Sequence, residues 1–254
     1  ALATVLSQGI SAILILINLM FSDSCIKLKL YRLRIHWSML RKICTVGIPA
    51  ALQMTITSFS NVFVQSYINY FGADCMSGWT TYSKVDQLIF LPMQSIALSA
   101  TTFVGQNLGK NQVDRARQGV RTCATLAICS TLILMVPVMI FAEPIVAFFN
   151  SKSEVVQYGS LLLRWMTPFY VLCCFNQIYS GALRGAGNSR MPMIIMLASF
   201  VVFRQVYLFV MARVCNEIIP IAMSYPAGWL LCSILTLTYY HKAQLGRTRL
   251  VEDK

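Results

Sequence analysis

The stretch Ile43–Ala73, ICTVGIPAALQMTITSFSNVFVQSYINYFGA, contains no charged side chain and is apolar over most of its length. A helix needs about 20 mostly apolar residues to span a bilayer. Four further stretches are uncharged: Ala1–Ser22, Gln87–Gly109, Thr122–Ala142 and Ile218–Tyr240. Two more are each interrupted by a single arginine: Val155–Leu183 by Arg164, and Met191–Ala212 by Arg204. Together these stretches predict an all-α, polytopic membrane protein with seven transmembrane helices.

The composition supports this class and excludes others. Of the 254 residues, 57% are hydrophobic and 12% are charged, whereas a soluble domain carries about 25% charged residues. The net charge of +12 does not indicate a nucleic-acid partner, because the basic residues lie between the apolar spans and not on one folded face. The nine cysteines show neither metal-ligand nor disulfide-framework spacing. We therefore predict no nucleic-acid partner and no metal site.

The distribution of basic residues predicts the orientation of the chain. The seven spans are placed at 1–21, 45–71, 84–105, 119–142, 156–183, 191–213 and 217–240. The first, third and fifth connections and the tail carry 16 Lys and Arg residues, and the opposite connections carry three. Because Lys and Arg are enriched in cytoplasmic loops, we predict that these connections and the C-terminus are cytoplasmic.

Polar residues inside the spans indicate where a function resides, since hydrocarbon penalises unpaired polar groups. In the second span a polar residue recurs every four positions, which forms one slowly winding stripe on a helix. Two interpretations stay open for this stripe: hydrogen bonds between packed helices, or the wall of a water-filled substrate cavity. The fifth span repeats the pattern. The candidate cavity residues are Gln53, Thr57, Asn61 and Gln65 in the second span, and Asn176, Gln177 and Ser180 in the fifth.

Three charged residues lie within or close to the predicted spans. Asp86, placed one turn inside the outer end of the third span, is either a proton or cation site or an interfacial carboxylate paired with Lys84. Arg164 is expected to extend towards the outer surface. Arg204 is expected to face the bundle interior and to bind carbonyl groups or a carboxylate. For both arginines we predict a structural role.

Two cytoplasmic motifs carry a resemblance to a known family. The run Thr101–Gly109, TTFVGQNLG, followed by Asp114-Arg115-Ala116, resembles the loop after the eighth helix of multidrug and toxic compound extrusion (MATE) transporters. The run Ser180–Asn188, SGALRGAGN, is similar to the loop between helices ten and eleven of that family. The residues that carry the two motifs are Gly105, Gln106, Asn107 and Gly109, and Arg184, Gly185 and Gly187.

The resemblance implies that the chain comprises helices six to twelve of a twelve-helix, two-lobe transporter, which is not an enzyme. It implies the last helix of a missing N-terminal lobe at 1–22, a basic inter-lobe linker at 23–44, a six-helix lobe at 45–241 and a cytoplasmic tail at 242–254. It further implies export of cationic or amphiphilic compounds by alternating access, in exchange for H⁺ or Na⁺ and without another cofactor. The expected partners are the substrates, membrane lipid and the missing lobe, in a bacterial cytoplasmic membrane.

One departure from the family bears on the coupling ion. In the sodium-coupled branch this lobe carries a glutamate and an aspartate, whose positions fall near Thr57 and Cys173 here, and neither residue is charged. Coupling is therefore expected at Asp86 or at a carboxylate of the missing lobe. The nearest alternative function is a lipid or lipid-linked oligosaccharide flippase of related architecture. A seven-helix receptor and an intramembrane enzyme are less favoured, since neither has a motif or a catalytic grouping in the sequence.

Overall fold

The computed structural model describes residues 2–21 and 34–243. The chain divides into two compact units, Ala1–Arg41 and Lys42–Lys254. In the first unit, helix α1 extends from Leu2 to Phe21, and apolar side chains such as Leu14 are exposed along it. The predicted linker 23–44 lies outside the described residues up to position 33, and the predicted tail 242–254 lies outside them from position 244.

In the described part of the second unit, helices are joined by short connections and no strand occurs; the first of these helices, α2, begins in the first unit at Trp37. The helix bounds are α2 Trp37–Asn69, α3 Ala73–Gly109, α4 Val113–Ile140, α5 Ala142–Phe149, α6 Ser153–Met166, α7 Tyr170–Gly185, α8 Arg190–Leu197, α9 Arg204–Val214, α10 Ile218–Ala222 and α11 Ser224–Lys242. A 3₁₀ turn at Thr167–Phe169 joins α6 to α7, and a π-helical segment at Ala198–Phe203 joins α8 to α9. The predicted all-α class is confirmed.

Six segments within the described ranges are long and apolar enough to cross a membrane. They are Ala3–Phe21, Trp37–Asn69, Ala73–Gly109, Val113–Ile140, Arg190–Val214 and Ile218–Lys242. The remaining predicted span, 156–183, is divided between the shorter helices α6 and α7. Pro168 lies at the junction, where its missing N–H removes a backbone hydrogen bond. The expected count of seven is thus approximate, because a hydropathy window does not detect a break inside an apolar run.

Helix α3 extends beyond its predicted span 84–105 at both ends. Helix α3 begins at Ala73, with Asp74 in its first turn, where a negative charge stabilises the helix dipole. The helix therefore begins 11 residues before the predicted span, and more than three turns of it precede Asp86. At the other end, α3 continues through the Gly105–Gly109 motif, which was expected to be a loop. The Asn107 side chain donates a 2.8 Å hydrogen bond to the Phe103 carbonyl and prolongs the helix.

Helix α3 lies at the centre of the core and packs against α4, α6 and α7. Its contact with α7 is close because glycines of α7 face the α3 backbone. A Cβ on Gly185 would overlap the Thr101 carbonyl oxygen, and a Cβ on Gly181 would lie 2.7 Å from the Ala97 carbonyl oxygen. The Thr101 hydroxyl donates a 3.0 Å hydrogen bond to the Gly181 carbonyl. The family motifs on these helices therefore have a packing role.

Candidate substrate cavity

A cavity of about 360 Å³ opens in the second unit among α2, α3, the π-helical segment, α9 and α11. Its polar lining consists of Thr57, Asn61, Gln65, Ser83, Asp86 and Arg204. Its remaining walls are aromatic and consist of Trp79, Tyr82, Phe90, Phe200, Tyr225 and Trp229. The cavity therefore combines one carboxylate, one guanidinium and several rings, a set that binds organic molecules with charged groups.

Asp86 reaches the cavity from α3. Tyr82, one turn earlier, donates a 3.2 Å hydrogen bond from its hydroxyl to Asp86 Oδ1, and the Tyr82 and Tyr170 hydroxyl oxygens are 3.1 Å apart. The alternative pairing of Asp86 with Lys84 does not occur, because residues two apart on a helix do not face each other. Instead, Lys84 Nζ lies 5.5 Å from the centroid of the Phe149 ring.

Arg204 reaches the cavity from the opposite side, at the point where the π-helical segment ends and α9 begins. Its Nη2 donates to Asn61 Oδ1 at 2.7 Å and to Ser60 Oγ at 2.9 Å. Its guanidinium carbon lies 4.7 Å from the centroid of the Tyr225 ring. The arginine faces the interior as expected. Its partners are an amide and a hydroxyl, and no carboxylate of the described residues forms an ion pair with it.

The polar stripe of α2 both lines the cavity and takes part in hydrogen bonds between helices. Thr57, Asn61 and Gln65 line the cavity, and Asn61 also holds Arg204 across the interface between helices. Ser60, beside the stripe, donates a 2.9 Å hydrogen bond to the Phe200 carbonyl within the π-helical segment. Gln53 does not line the cavity; its side-chain nitrogen contacts the sulfur of Met196.

The polar residues of α7 are not part of this cavity. Asn176 and Ser180 are buried, and Gln177 is half-buried. These side chains lie in a helix that packs against α3, α4 and α11, and none of them lines the cavity. The predicted grouping of Asn176, Gln177 and Ser180 with the α2 stripe is therefore not observed.

Arg164 and the motif residues also lie away from the cavity. Arg164 forms a 3.1 Å ion pair with Glu143, and both side chains are about half exposed, as its predicted extension towards the surface requires. Arg184 lies in the last turn of α7, and Gly187 follows the helix with a positive φ of 86°, a conformation that glycine adopts without strain. Among residues 2–21 and 34–243, no group of three or more His, Cys, Asp or Glu residues is arranged to hold a metal ion.

The sequence interpretation missed the aromatic walls of the cavity. On α3 a usable signal existed, since Trp79, Tyr82, Asp86 and Phe90 are spaced three or four residues apart and share one helix face. Tyr225 and Trp229 lie on α11 with the same spacing. No local pattern, however, indicates that these faces of α3 and α11 meet, because that depends on how the helices pack.

Comparisons with known proteins identify the family. Residues 49–210 match the family model described as MatE. The probable multidrug resistance protein YoeA of Bacillus subtilis is 24% identical over 225 residues, which cover 87% of this chain and 48% of that protein. The probable multidrug resistance protein NorM of Thermotoga maritima is 26% identical over 213 residues, which cover 84% and 46%. The chain thus spans about half the length of these relatives.

The fold is shared with solved structures of the same family. An outward-facing multidrug resistance MATE family transporter of the MOP superfamily superposes with a TM-score of 0.86 at 19% identity, over 95% of this chain and 55% of the other. The family model covers well over half of the chain, so the resemblance drawn from the two motifs is confirmed. The homologues are transporters, which supports the prediction that the chain is not an enzyme. The chain belongs to the MatE family.

Proposed function

We propose that the chain forms the C-terminal lobe of a secondary active antiporter that exports cationic or amphiphilic compounds by alternating access. The observation that carries this proposal is the cavity that places Asp86 among aromatic rings. The negative faces of aromatic rings attract organic cations, and a carboxylate adds a direct charge partner. In this proposal the cavity faces the N-terminal lobe, and membrane lipid covers the exposed apolar helix faces.

We further propose that Asp86 couples substrate movement to an inward H⁺ or Na⁺. A carboxylate that has accepted a proton or bound a sodium ion no longer attracts a cationic substrate, so the two ligands exclude each other at one site. The Tyr82 hydroxyl bonded to Asp86 supports this role, because it can donate to the carboxylate when the substrate is absent. The chemistry of the site is compatible with either ion.

The proposed orientation keeps the C-terminus in the cytoplasm of a bacterial cell, with the chain in the cytoplasmic membrane. The connection between α3 and α4 and the first turns of α4 carry Lys110, Arg115, Arg117 and Arg121. Positive residues at this end favour the cytoplasmic side. The connection 186–189 is expected on the same side, because α7 also ends there beside α3.

The proposal is tested in everted membrane vesicles that contain the full-length transporter. A fluorescent cationic dye is supplied, and a proton gradient or a sodium gradient is imposed alone. Dye movement under one gradient establishes antiport and identifies the coupling ion. If neither gradient moves the dye, the antiport proposal fails, and translocation of lipid headgroups becomes the next assay, as the flippase alternative requires.

The role of Asp86 is tested with Asp86→Asn in the same vesicles. We expect loss of gradient-driven transport, because the amide keeps the shape of the side chain but neither ionises nor attracts a cation. Asp114→Asn is the matched control, since Asp114 is an exposed carboxylate in the first turn of α4. If Asp86→Asn keeps full transport with an unchanged pH dependence, Asp86 is not the coupling residue.

A further inference from the structure

A second cavity, of about 370 Å³, lies between α3 and α4 and shares no residue with the substrate cavity. We call it the α3–α4 groove; its lining includes Ser99, Phe103, Arg115, Gln118, Gly119 and Thr122. Helix α3 ends at Gly109 and α4 begins at Val113, so the groove begins beside the turn that joins the two helices. The proposed orientation places this turn on the cytoplasmic side of the membrane.

Arg115 provides the positive charge of the groove. Its Nη1 donates a 3.3 Å hydrogen bond to the neutral side chain of Gln112, and within the described part of the chain no carboxylate forms an ion pair with it. Arg117 differs, because it lies 3.8 Å from the carboxylate of Asp114. Arg115 is exposed, so its charge is available to an anionic group.

The contact between Phe103 and Gly119 shapes the wall beside this charge. A Cβ on Gly119 would overlap the Phe103 ring, so glycine lets the ring lie against the α4 backbone. The guanidinium carbon of Arg115 lies 6.0 Å from the centroid of the same ring. An aromatic ring at this distance attracts a cation weakly, which favours a position of the arginine over the groove.

The polarity of the groove falls with distance from the turn. Gln118 lies about one helical turn beyond Arg115 on α4, and Thr122 about two turns beyond it. The hydroxyls of Thr122 and Ser99 donate to carbonyls of their own helices at 3.1 and 3.0 Å, so neither needs water as an acceptor. The large side chains that α4 exposes beyond Thr122 are apolar: Leu126, Leu132, Ile133, Leu134, Val136 and Ile140.

From these observations we propose that the α3–α4 groove binds one anionic phospholipid. Its phosphate lies at Arg115, the exposed amide of Gln118 donates to an ester carbonyl, and the acyl chains follow the apolar face of α4. Basic pockets between transmembrane helices on the cytoplasmic side bind such headgroups. The occupant is a lipid and not a soluble phosphate, because the groove continues into an apolar surface that a soluble anion would leave uncovered.

The test measures lipid binding to the purified full-length transporter by native mass spectrometry. Two lipids with identical palmitoyl and oleoyl chains are compared: phosphatidylglycerol, which has a net negative headgroup, and phosphatidylcholine, which is zwitterionic. We expect phosphatidylglycerol to bind at least about fivefold more tightly, the effect of one basic residue near an anionic headgroup. Equal binding of the two lipids overturns the proposal.

Two arginine variants assign the preference to the groove. Arg115→Gln is expected to weaken binding of phosphatidylglycerol by about fivefold and to leave binding of phosphatidylcholine nearly unchanged. Arg117→Gln is the matched control, since it removes the same charge from the same helix, but from a residue paired with Asp114 that does not line the groove. If both variants weaken binding equally, or if neither does, the lipid is not held by Arg115 and the proposal is wrong.

A second pair of variants tests the groove without a change in charge. Thr122→Phe fills the groove and should weaken binding of phosphatidylglycerol as much as Arg115→Gln does. Thr125→Phe is its control, because Thr125 is also exposed on α4 and also bonds to its own helix at 3.1 Å, but lies outside the groove. Equal effects of the two substitutions contradict the proposal.

The lipid proposal and the antiporter proposal fail separately, since lipid binding is measured without transport. If no gradient moves the dye but Arg115→Gln selectively weakens binding of phosphatidylglycerol, the lipid proposal stands alone. If the dye moves and the lipids bind equally, only the antiporter proposal stands. If Thr122→Phe is not recovered as folded protein, the comparison of Arg115→Gln with Arg117→Gln decides the lipid proposal, because both of these residues are exposed.

Discussion

The cavity and the contact between α3 and α7 form a contrast within one bundle. In the α3–α7 seam, formed by Ala97, Thr101, Gly181 and Gly185, the backbones approach closely and the polar groups are paired. The Thr101 hydroxyl bonds to the carbonyls of both Ala97 and Gly181 at 3.0 Å. In the cavity, by contrast, Asp86 and Arg204 carry opposite charges that the described part of the protein leaves unneutralised.

The difference separates residues that stabilise the fold from residues that we propose bind substrate. A site whose polar groups are all paired has no interaction left for a solute, whereas an unneutralised charge gains free energy when a solute supplies its partner. Substitutions in the seam should therefore reduce stability whether or not substrate is present. Substitutions in the cavity should change binding more than folding.

The largest effect is expected from Gly185→Ala in the seam. Its Cβ would overlap the Thr101 carbonyl oxygen, and a backbone atom of a central helix cannot move aside as a flexible side chain can. We expect destabilisation of about 3 kcal/mol, at the upper end for overpacking. Thermal unfolding of the full-length transporter in detergent, followed by size-exclusion chromatography, measures this loss.

Two glycines provide graded controls for this prediction. A Cβ on Gly105 would lie 3.4 Å from the Gly185 carbonyl oxygen, which is an ordinary contact, and a Cβ on Gly109 would meet nothing within 4 Å. Alanine at either position should leave the unfolding temperature close to that of the unaltered protein. If Gly185→Ala is as stable as Gly109→Ala, the seam does not require glycine, and its contrast with the cavity disappears.

An intermediate effect is expected from Ser60→Ala at the boundary between structure and binding. The Ser60 hydroxyl donates to the Phe200 carbonyl and accepts from Arg204 and from Gln205. Its removal leaves buried groups unsatisfied, which costs roughly 1–2 kcal/mol, and also loosens Arg204. We expect a moderate fall in unfolding temperature together with a change in transport of the fluorescent cationic dye, since Arg204 lines the cavity.

Ser58→Ala is the control for Ser60→Ala, because Ser58 lies on the same helix and is exposed. It should change neither the unfolding temperature nor transport of the cationic dye. If Ser60→Ala lowers the unfolding temperature but leaves dye transport unchanged, Ser60 belongs with the seam as a structural residue. A change in dye transport places it with the cavity instead.

The same contrast explains which features of the fold could be predicted from sequence. Apolar runs such as Ile43–Ala73 predict helices directly, because a segment in hydrocarbon must satisfy its backbone hydrogen bonds within itself. The seam was predicted only as a family motif: its two runs resemble loops of the family, whereas Thr101, Gly181 and Gly185 lie within helices. Helix ends were less predictable: α3 begins at Ala73, where polar residues continue the helix beyond its apolar part. Pro168 lies at the break at Thr167–Phe169, but proline alone did not predict it, because Pro49, Pro92 and Pro137 lie inside continuous helices. No pattern marked the position of the π-helical segment.

The cavity was predictable only in part, because it depends on contacts between distant segments. The polar spacing of α2 correctly indicated Thr57, Asn61 and Gln65, and the single carboxylate Asp86 joined them. The same kind of spacing in α7 led to residues that the bundle encloses elsewhere. The hydrogen bond between Asn61 and Arg204 joins positions 143 residues apart. No local spacing in the sequence predicts a partner at that distance.

The smallest effect is expected from Lys152→Gln, which tests a charge that is already paired and exposed. Lys152 Nζ lies 2.6 Å from Asp74 Oδ1, with both side chains partly open to solvent, and this hydrogen bond raises the pKa of Lys152 from its usual 10.5. A raised pKa contributes stability that is complete below pH 10.5 and is lost as the pH rises through the higher folded value.

Such surface pairs contribute little, so we expect Lys152→Gln and the unaltered protein to unfold at nearly the same temperature at pH 7, with equal dye binding. Unfolding curves at pH 7 and above pH 11 measure any difference, which should shrink at the higher pH. A large loss of stability or binding at pH 7 would show that neutralised surface charges matter as much as Asp86 and Arg204, and the distinction between paired and unpaired charge would not hold.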